Sequence, residues 1–347
     1  MNQNWRLIGL DNIIAFLART LESDGLFHAY LFSAPQHSGK KALALKLAQA
    51  LNCVGDNSPC GDCAPCRRIA AGNHADVQIV NTDSVSSDSE SKNRVDLSIE
   101  QIRGIIHSAS FPPYEGRYRV FIIEDAEKMS VAAANALLKT LEEPPTQVVF
   151  ILTTSKENLL LETIHSRCQR VRLGAATRQQ IRSFLEDSLA IPMDQADLFA
   201  RICEGRTGWA VSVANNDAIL NERRDNLEKF FEMMESGYEL RFDLAARLAQ
   251  SFSQKRDEVY RLLDQWLGLG RDVLLYKLNI IDELINIDYT PQIISMSERL
   301  DINDIRTLIR AIIETRQYLG RNAGARLALE VLMIGLPLFG GTLKHNG

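Results

Sequence analysis

The chain has 347 residues, 46% of them hydrophobic and 24% charged, which suits a globular protein of two or three domains with a sizeable core. A net charge of −5 excludes a protein whose main business is to coat nucleic acid, because no basic surplus is present. No basic segment followed by an apolar run opens the sequence, and the apolar stretch Val331–Phe339 is too short for a bilayer, so a cytoplasmic protein without a membrane partner is expected.

The first half alternates short apolar runs with helical patterns. Candidate strands are Ala29–Ser33, Val77–Val80, Arg119–Ile123, Val148–Thr153 and Val171–Leu173, most of them nearly continuous in apolar residues, as parallel strands covered on both faces are. Helices are predicted at Ala42–Leu51, Ile99–Ser108 and Val131–Glu142, the second opened by a capping box of Ser98 and Gln101. This is the α/β doubly wound pattern.

The first strand runs into "SAPQHSGKK". A working phosphate loop is Gly-x4-Gly-Lys-Ser/Thr: its backbone N–H groups wrap phosphates, its lysine pairs with them, and its hydroxyl holds Mg²⁺. Gly39 and Lys40 are in place here, but the first glycine position is Ala34, followed by Pro35, and the hydroxyl position is Lys41. The acidic pair that should close the third strand as Asp-Glu reads Glu124–Asp125, in reverse order. Strand, loop and helix in that order outweigh the bland reading of Lys40 and Lys41 as solvated residues at a helix start. The metal chemistry is damaged, which argues against ATP hydrolysis and weakens the case for ATP binding without deciding it.

Cys53, Cys60, Cys63 and Cys66 follow the first of these helices with spacing Cys-x6-Cys-x2-Cys-x2-Cys. In a reducing compartment this predicts a structural zinc site with four thiolates, its bend eased by Gly61 and its charge offset by Arg67 and Arg68; thiol exchange is the weaker alternative. The Ser-rich stretch Ser84–Asn93 reads as a disordered surface loop. Beyond about Leu173 the strands stop and helical stripes continue, among them Leu262, Leu263, Trp266, Val273 and Leu274, and later Leu308, Ile309, Ile312 and Ile313.

"ANALLKTLEEPP" (134–145), "FILTTS", "SRCQ", "GLDNI" near the start, "RLALEVL" near the end and the four-cysteine insertion together resemble the clamp-loader branch of the AAA+ ATPases, over essentially the whole chain. The resemblance implies a P-loop-type α/β domain with a five-stranded parallel sheet (1–174, the zinc insertion at 53–66), a small helical lid domain (175–215) and an all-α collar domain for oligomerisation (216–347). Within the family, motor subunits keep the phosphate loop, the Asp-Glu pair and a Gly-Ser-x-Arg motif. The stator type has lost them and keeps Ser-Arg-Cys. This chain is similar to the stator type: its "GWAV" (208–211) puts Val211 where a motor has arginine.

The resemblance further implies that Arg167 acts in trans on a neighbour's ATP, with Ser166 and Cys168 shaping its turn. It assigns Thr153 and Thr154 to the position that senses the γ-phosphate in a motor. It places 139–145 at a helix end facing a subunit or DNA. Without the family motif, Arg167 would read as an ordinary ion pair at a strand start. The implied partners are gamma/tau and delta subunits in a hetero-pentameric ring, with the sliding clamp and primer-template DNA met through that complex. The alternatives are a gamma/tau-type ATPase with a divergent loop and a zinc-dependent nucleic-acid-binding protein, the latter disfavoured by the acidic balance.

Overall fold

The structure is a computed structural model and describes residues 5–23, 25–82, 96–321 and 324–337. The Ser-rich stretch 84–93 lies outside the described residues. The chain forms two compact units, Met1–Phe184 with Glu204–Ala210, and Leu185–Cys203 with Val211–Gly347.

In chain order the elements that build the first unit begin α1 (Asp11–Glu22), β1 (Ala29–Ser33), α2 (Lys40–Asn52), α3 (Ala64–Ala70), β2 (Val77–Val80) and α4 (Ile99–Ala109). They continue β3 (Arg119–Ile123), α5 (Val131–Glu142), β4 (Val148–Thr154), α6 (Glu162–His165) and β5 (Gln169–Arg172). The strands form one five-stranded parallel sheet in the order β2-β3-β4-β1-β5, as expected. Its side chains alternate between two cores. Tyr30, Phe32, Val120, Ile122, Val149 and Ile151 pack with Leu17 of α1 and Leu43 and Leu47 of α2. Leu31, Phe121, Ile123, Phe150 and Leu152 pack with Ile102 and Ile105 of α4, Leu137 of α5 and Ile164. Burial on both faces is why these strands lack polar alternation.

α4 and β4 each run one residue further than expected, to Ala109 and Thr154, and two other elements differ more from the sequence expectation. β5 is Gln169–Arg172, two residues earlier than predicted, because Tyr30 to Ser33 pair with Gln169 to Arg172. It is the edge strand, and in "QRVR" only Val171 is buried, so apolar continuity could not mark it. α2 starts two residues earlier than predicted, at Lys40, because Gly39 adopts a left-handed φ of 86° and delivers the chain straight into the helix. The Ser98–Gln101 capping box is present.

The remaining helices are α7 (Arg178–Leu189), α8 (Met193–Ile202), α9 (Thr207–Asn215), α10 (Asp217–Glu235), α11 (Tyr238–Gln254), α12 (Arg256–Lys277), α13 (Thr290–Arg299), α14 (Ile302–Gly320) and α15 (Ala325–Gly335). The second unit's core joins α10 to α15 around Phe230, Leu263, Trp266, Leu308, Ile312 and Leu329. The stripes read from the sequence at 262–274 and 308–313 supply much of it, except Ile313, which is exposed. Among the described residues no helix is long and apolar enough to cross a membrane.

Arg241 is fully buried in this unit. Arg241 of α11 donates to the carbonyls of Met233, Met234, Met333, Leu336 and Pro337, tying the C-terminal ends of α10 and α15 together. Helix ends leave carbonyls without intrahelical partners and carry partial negative charge, so a guanidinium satisfies them without a carboxylate. Arg241→Met removes these bonds and strands buried acceptors. We expect it to destabilise the protein by about 3–5 kcal/mol, read as a lower urea midpoint for this unit; an unchanged midpoint would mean the clamp carries no stability.

Candidate nucleotide pocket, arginine and cysteine cluster

The carboxyl ends of the central strands are where an open parallel sheet forms a ligand crevice. Here a cavity of about 590 Å³ is lined by Gln36, His37, Lys40, Lys41, Glu124, Asp125, Thr153 and Gly208, among others. The structure therefore gathers Gly39, Lys40, Glu124, Asp125 and Thr153, all singled out from the sequence, into one pocket. Thr154 ends the same strand, is fully buried, and accepts the Lys156 N–H through its hydroxyl. The Thr153 hydroxyl accepts the backbone N–H of Asp125 at 3.4 Å.

Each cation of this pocket already has a partner in its own chain. Lys40 is 8% exposed, and its ammonium donates to the carbonyls of Ala34 (2.7 Å) and Pro35 (2.9 Å). Burial pushes it below the ordinary lysine value, with Asp125 and Glu127 pulling it partly back. Lys41, where a motor has its Mg²⁺-binding hydroxyl, lies 2.8 Å from Glu124. Asp125 sits at a left-handed φ of 50° and pairs with Lys128 at 2.9 Å. The reversed acidic order thus commits one carboxylate to Lys41 and the other to Lys128.

The first turn of α9 also closes on the loop. Gly208 and Trp209 donate N–H groups to the His37 carbonyl at 2.8 and 3.3 Å. A Cβ on Gly208 would lie 2.8 Å from that oxygen, so glycine is required there. Val211 follows on the same helix. The sequence offered no signal for these loop-closing contacts, because the backbone atoms of distant residues make them.

Arg167 follows α6 and leads into β5. Its Nη1 donates to Thr163 O at 2.9 Å and Ser166 Oγ at 3.1 Å, and its Nη2 pairs with Glu142 at the end of α5. Ser166 also donates to Thr163 O at 3.1 Å, so it does shape the turn. Cys168 is buried, which pushes its thiol up to about 12. Glu142 is the partner of Arg167 that sequence reasoning missed: the pair spans two elements of the fold, and no local spacing marks it.

The cysteine insertion is a separate site. Cys53 caps α2, Cys63 caps α3, and the thiols of Cys53, Cys60, Cys63 and Cys66 all lie within 4.8 Å of one another. The Cys53–Cys63 and Cys60–Cys66 sulfur distances are 3.9 and 4.0 Å. A tetrahedron with metal–sulfur bonds of about 2.3 Å has edges of about 3.8 Å, so the donors fit one metal ion. Sulfur already accepts backbone N–H groups: Cys53 from Gly55 and Cys60, both at 3.4 Å, and Cys60 from Cys63 at 3.3 Å. Such donors stabilise thiolates. Burial opposes ionisation of Cys63, but N–H groups of Val54 and Cys66 and the neighbouring thiols outweigh it and bring Cys63 down to about 6. The bend falls at Gly61, with φ 81°.

Of the two arginines expected to offset the cluster's charge, Arg68 is instead paired with Glu115 at 2.9 Å. That pair belongs to an interlock between the insertion and the loop before β3. The buried Asp76 carboxylate accepts N–H groups of Tyr114, Glu115 and Gly116, and Asn52 accepts that of Tyr118. Burial would raise the Asp76 carboxyl, but these backbone donors outweigh it and hold it below its usual value.

A phosphate-type loop leaving β1, with carboxylates following β3 on the far side of β4, gives the first unit the architecture of a P-loop-type nucleotide-binding module. Comparison with known proteins narrows this. Residues 9–177 match the family described as DNA polymerase III, delta subunit. The chain is 30% identical to DNA polymerase III subunit delta′ of Bacillus subtilis, covering 93% of this chain and 95% of that one. It is 28% identical to subunit tau of the same organism over 94% of this chain, and 34% identical to Escherichia coli tau over 60%. The chain spans 60% of the B. subtilis tau length and 32% of the E. coli one. A gamma subunit-related protein of Thermotoga maritima matches in structure with TM-score 0.43 and 21% identity, covering 92% of this chain and 97% of that one. The chain belongs to the clamp-loader family of bacterial DNA polymerase III subunits, the family of delta′ and tau/gamma.

Proposed function

We propose that the chain is the stator subunit of a replicative clamp loader. It works in the cytoplasm within a hetero-pentameric ring of gamma/tau and delta partners, and helps to load a sliding clamp onto primed DNA. It does not hydrolyse ATP; it donates Arg167 to the nucleotide site of its neighbour. The observation that carries this reading is the Lys41–Glu124 pair, an ammonium at 2.8 Å from the carboxylate where a motor would assemble Mg²⁺. A bound divalent ion there would meet a like charge and no hydroxyl. The self-satisfied Lys40 and the absent arginine at Val211 support the same conclusion.

In this reading the four cysteines hold a structural zinc ion, with no position left for water. The helices from 216 onward form the collar. Leu327, Val331 and Ile334 support this role: they project from α15 at helical spacing, all exposed and apolar, while Ala328, Leu329, Leu332 and Met333 of the same helix are buried.

A second reading, a gamma/tau-type ATPase with a divergent loop, is favoured by the comparable identity to tau. Turnover separates the two. The purified chain, given Mg²⁺ and ATP, is expected to show no steady hydrolysis above background. Hydrolysis that Lys40→Ala abolishes would overturn the stator reading and establish the second.

A further inference from the structure

We propose that Glu142 is a latch on Arg167: its carboxylate holds the guanidinium within the chain and must be displaced before Arg167 can reach a neighbour's phosphate. The inference rests on the trans-acting role proposed above for Arg167.

A guanidinium binds a phosphate most tightly with two parallel N–H groups, and it offers two such forks, Nη1–Nη2 and Nε–Nη2. Here Nη1 is saturated by Thr163 O and Ser166 Oγ. Nε is buried and has no partner among the described residues. Nη2 gives one N–H to each fork, and Glu142 holds this amino group through one contact. One fork is therefore closed by the turn of α6, and the other is half taken by a carboxylate and half empty. An empty buried donor beside an ion pair is a costly arrangement, and a phosphate on the Nε–Nη2 fork, reached once the guanidinium is released from Glu142, would relieve it.

Glu142 suits a releasable partner. Its side chain is 49% exposed and that of Arg167 28%, so water screens the pair and it is weak enough to exchange. A nucleotide phosphate brings more negative charge and a second hydrogen bond, and so competes successfully once it is presented at the right place. Glu142 is also the last residue of α5, the helix that begins shortly after the Glu124–Asp125 turn and ends at the segment 143–145. Movement of that helix end against α6 would open or close the latch. Glu142 touches no reacting atom in this scheme; it is a positioning residue.

The test uses the loader reconstituted from this chain and its own motor and delta partners. Glu142→Gln keeps size and polarity at a half-exposed position and should fold. It is expected to raise ATP turnover without DNA by about two- to fivefold, the range a half-exposed ion pair confers, and to leave the DNA- and clamp-stimulated rate little changed. Glu142→Asp should retain the low unstimulated rate. In an Arg167→Ala background Glu142→Gln should have no effect, a dependence that general loosening of the helix end would not produce. If Arg167→Ala lowers turnover but Glu142→Gln leaves the unstimulated rate unchanged, or lowers both rates, the latch is wrong while the trans role stands. An equal acceleration in the Arg167→Ala background also overturns the latch. If Arg167→Ala itself changes nothing, the underlying reading fails.

Discussion

Arg167→Ala is expected to leave the assembled loader intact and to cut hydrolysis at the one nucleotide site it faces by on the order of 10³-fold, the lower end of what an arginine supplied in trans contributes. Its contacts within this chain are modest: two hydrogen bonds in its own turn and one half-exposed ion pair. Losing such contacts costs on the order of 1 kcal/mol in stability, so a large loss of activity would not come from unfolding. Single-turnover hydrolysis in the loader, set beside gel filtration of the same complex, separates chemistry from assembly. Arg167→Lys should recover little, because an ammonium cannot offer the planar fork. Full activity in Arg167→Ala would remove the trans role.

Metal removal should give the second large effect. The cluster joins the end of α2 to α3, and Gln49 of α2 donates to the Cys66 carbonyl at 2.7 Å. Without the ion, the thiolates repel one another and the insertion loses its one link among all four cysteines, leaving hydrogen bonds such as this one to hold it. Cys66, which is fully buried, has most to lose. We expect Cys66→Ser to cost about 3 kcal/mol and to lower the melting temperature by roughly 10 °C. Zinc analysis should find about one ion per chain in the native protein and none in the variant. Undiminished stability together with no bound metal would refute the structural site.

Much of this was legible in the sequence because the signals are local. β1, β2, β3 and α5 begin and end where their apolar runs do, and the cysteine spacing alone brought four sulfurs to one point. The altered phosphate loop was equally visible, since loss of a hydroxyl at Lys41 is a change of chemistry at a known offset. What stayed hidden depends on contacts between distant residues. β5 is a polar edge strand fixed by pairing with β1 rather than by its own pattern. The pairing of Arg167 with Glu142, the turn of Lys40 back onto Ala34 and Pro35, and the burial of Arg241 among five carbonyls all depend on how the chain returns on itself. The expectation that Arg68 screens the cysteine cluster failed for the same reason: Glu115, brought close by the loop that Asp76 anchors, takes it.

The central claim is that this chain lends an arginine and performs no hydrolysis of its own. Its most direct test is a loader in which the phosphate-loop lysine of every motor subunit is replaced while this chain is kept intact. ATP turnover, with DNA and clamp present, is expected to fall to background. Turnover that persists, and disappears when Lys40→Ala is added to this chain, would contradict the account.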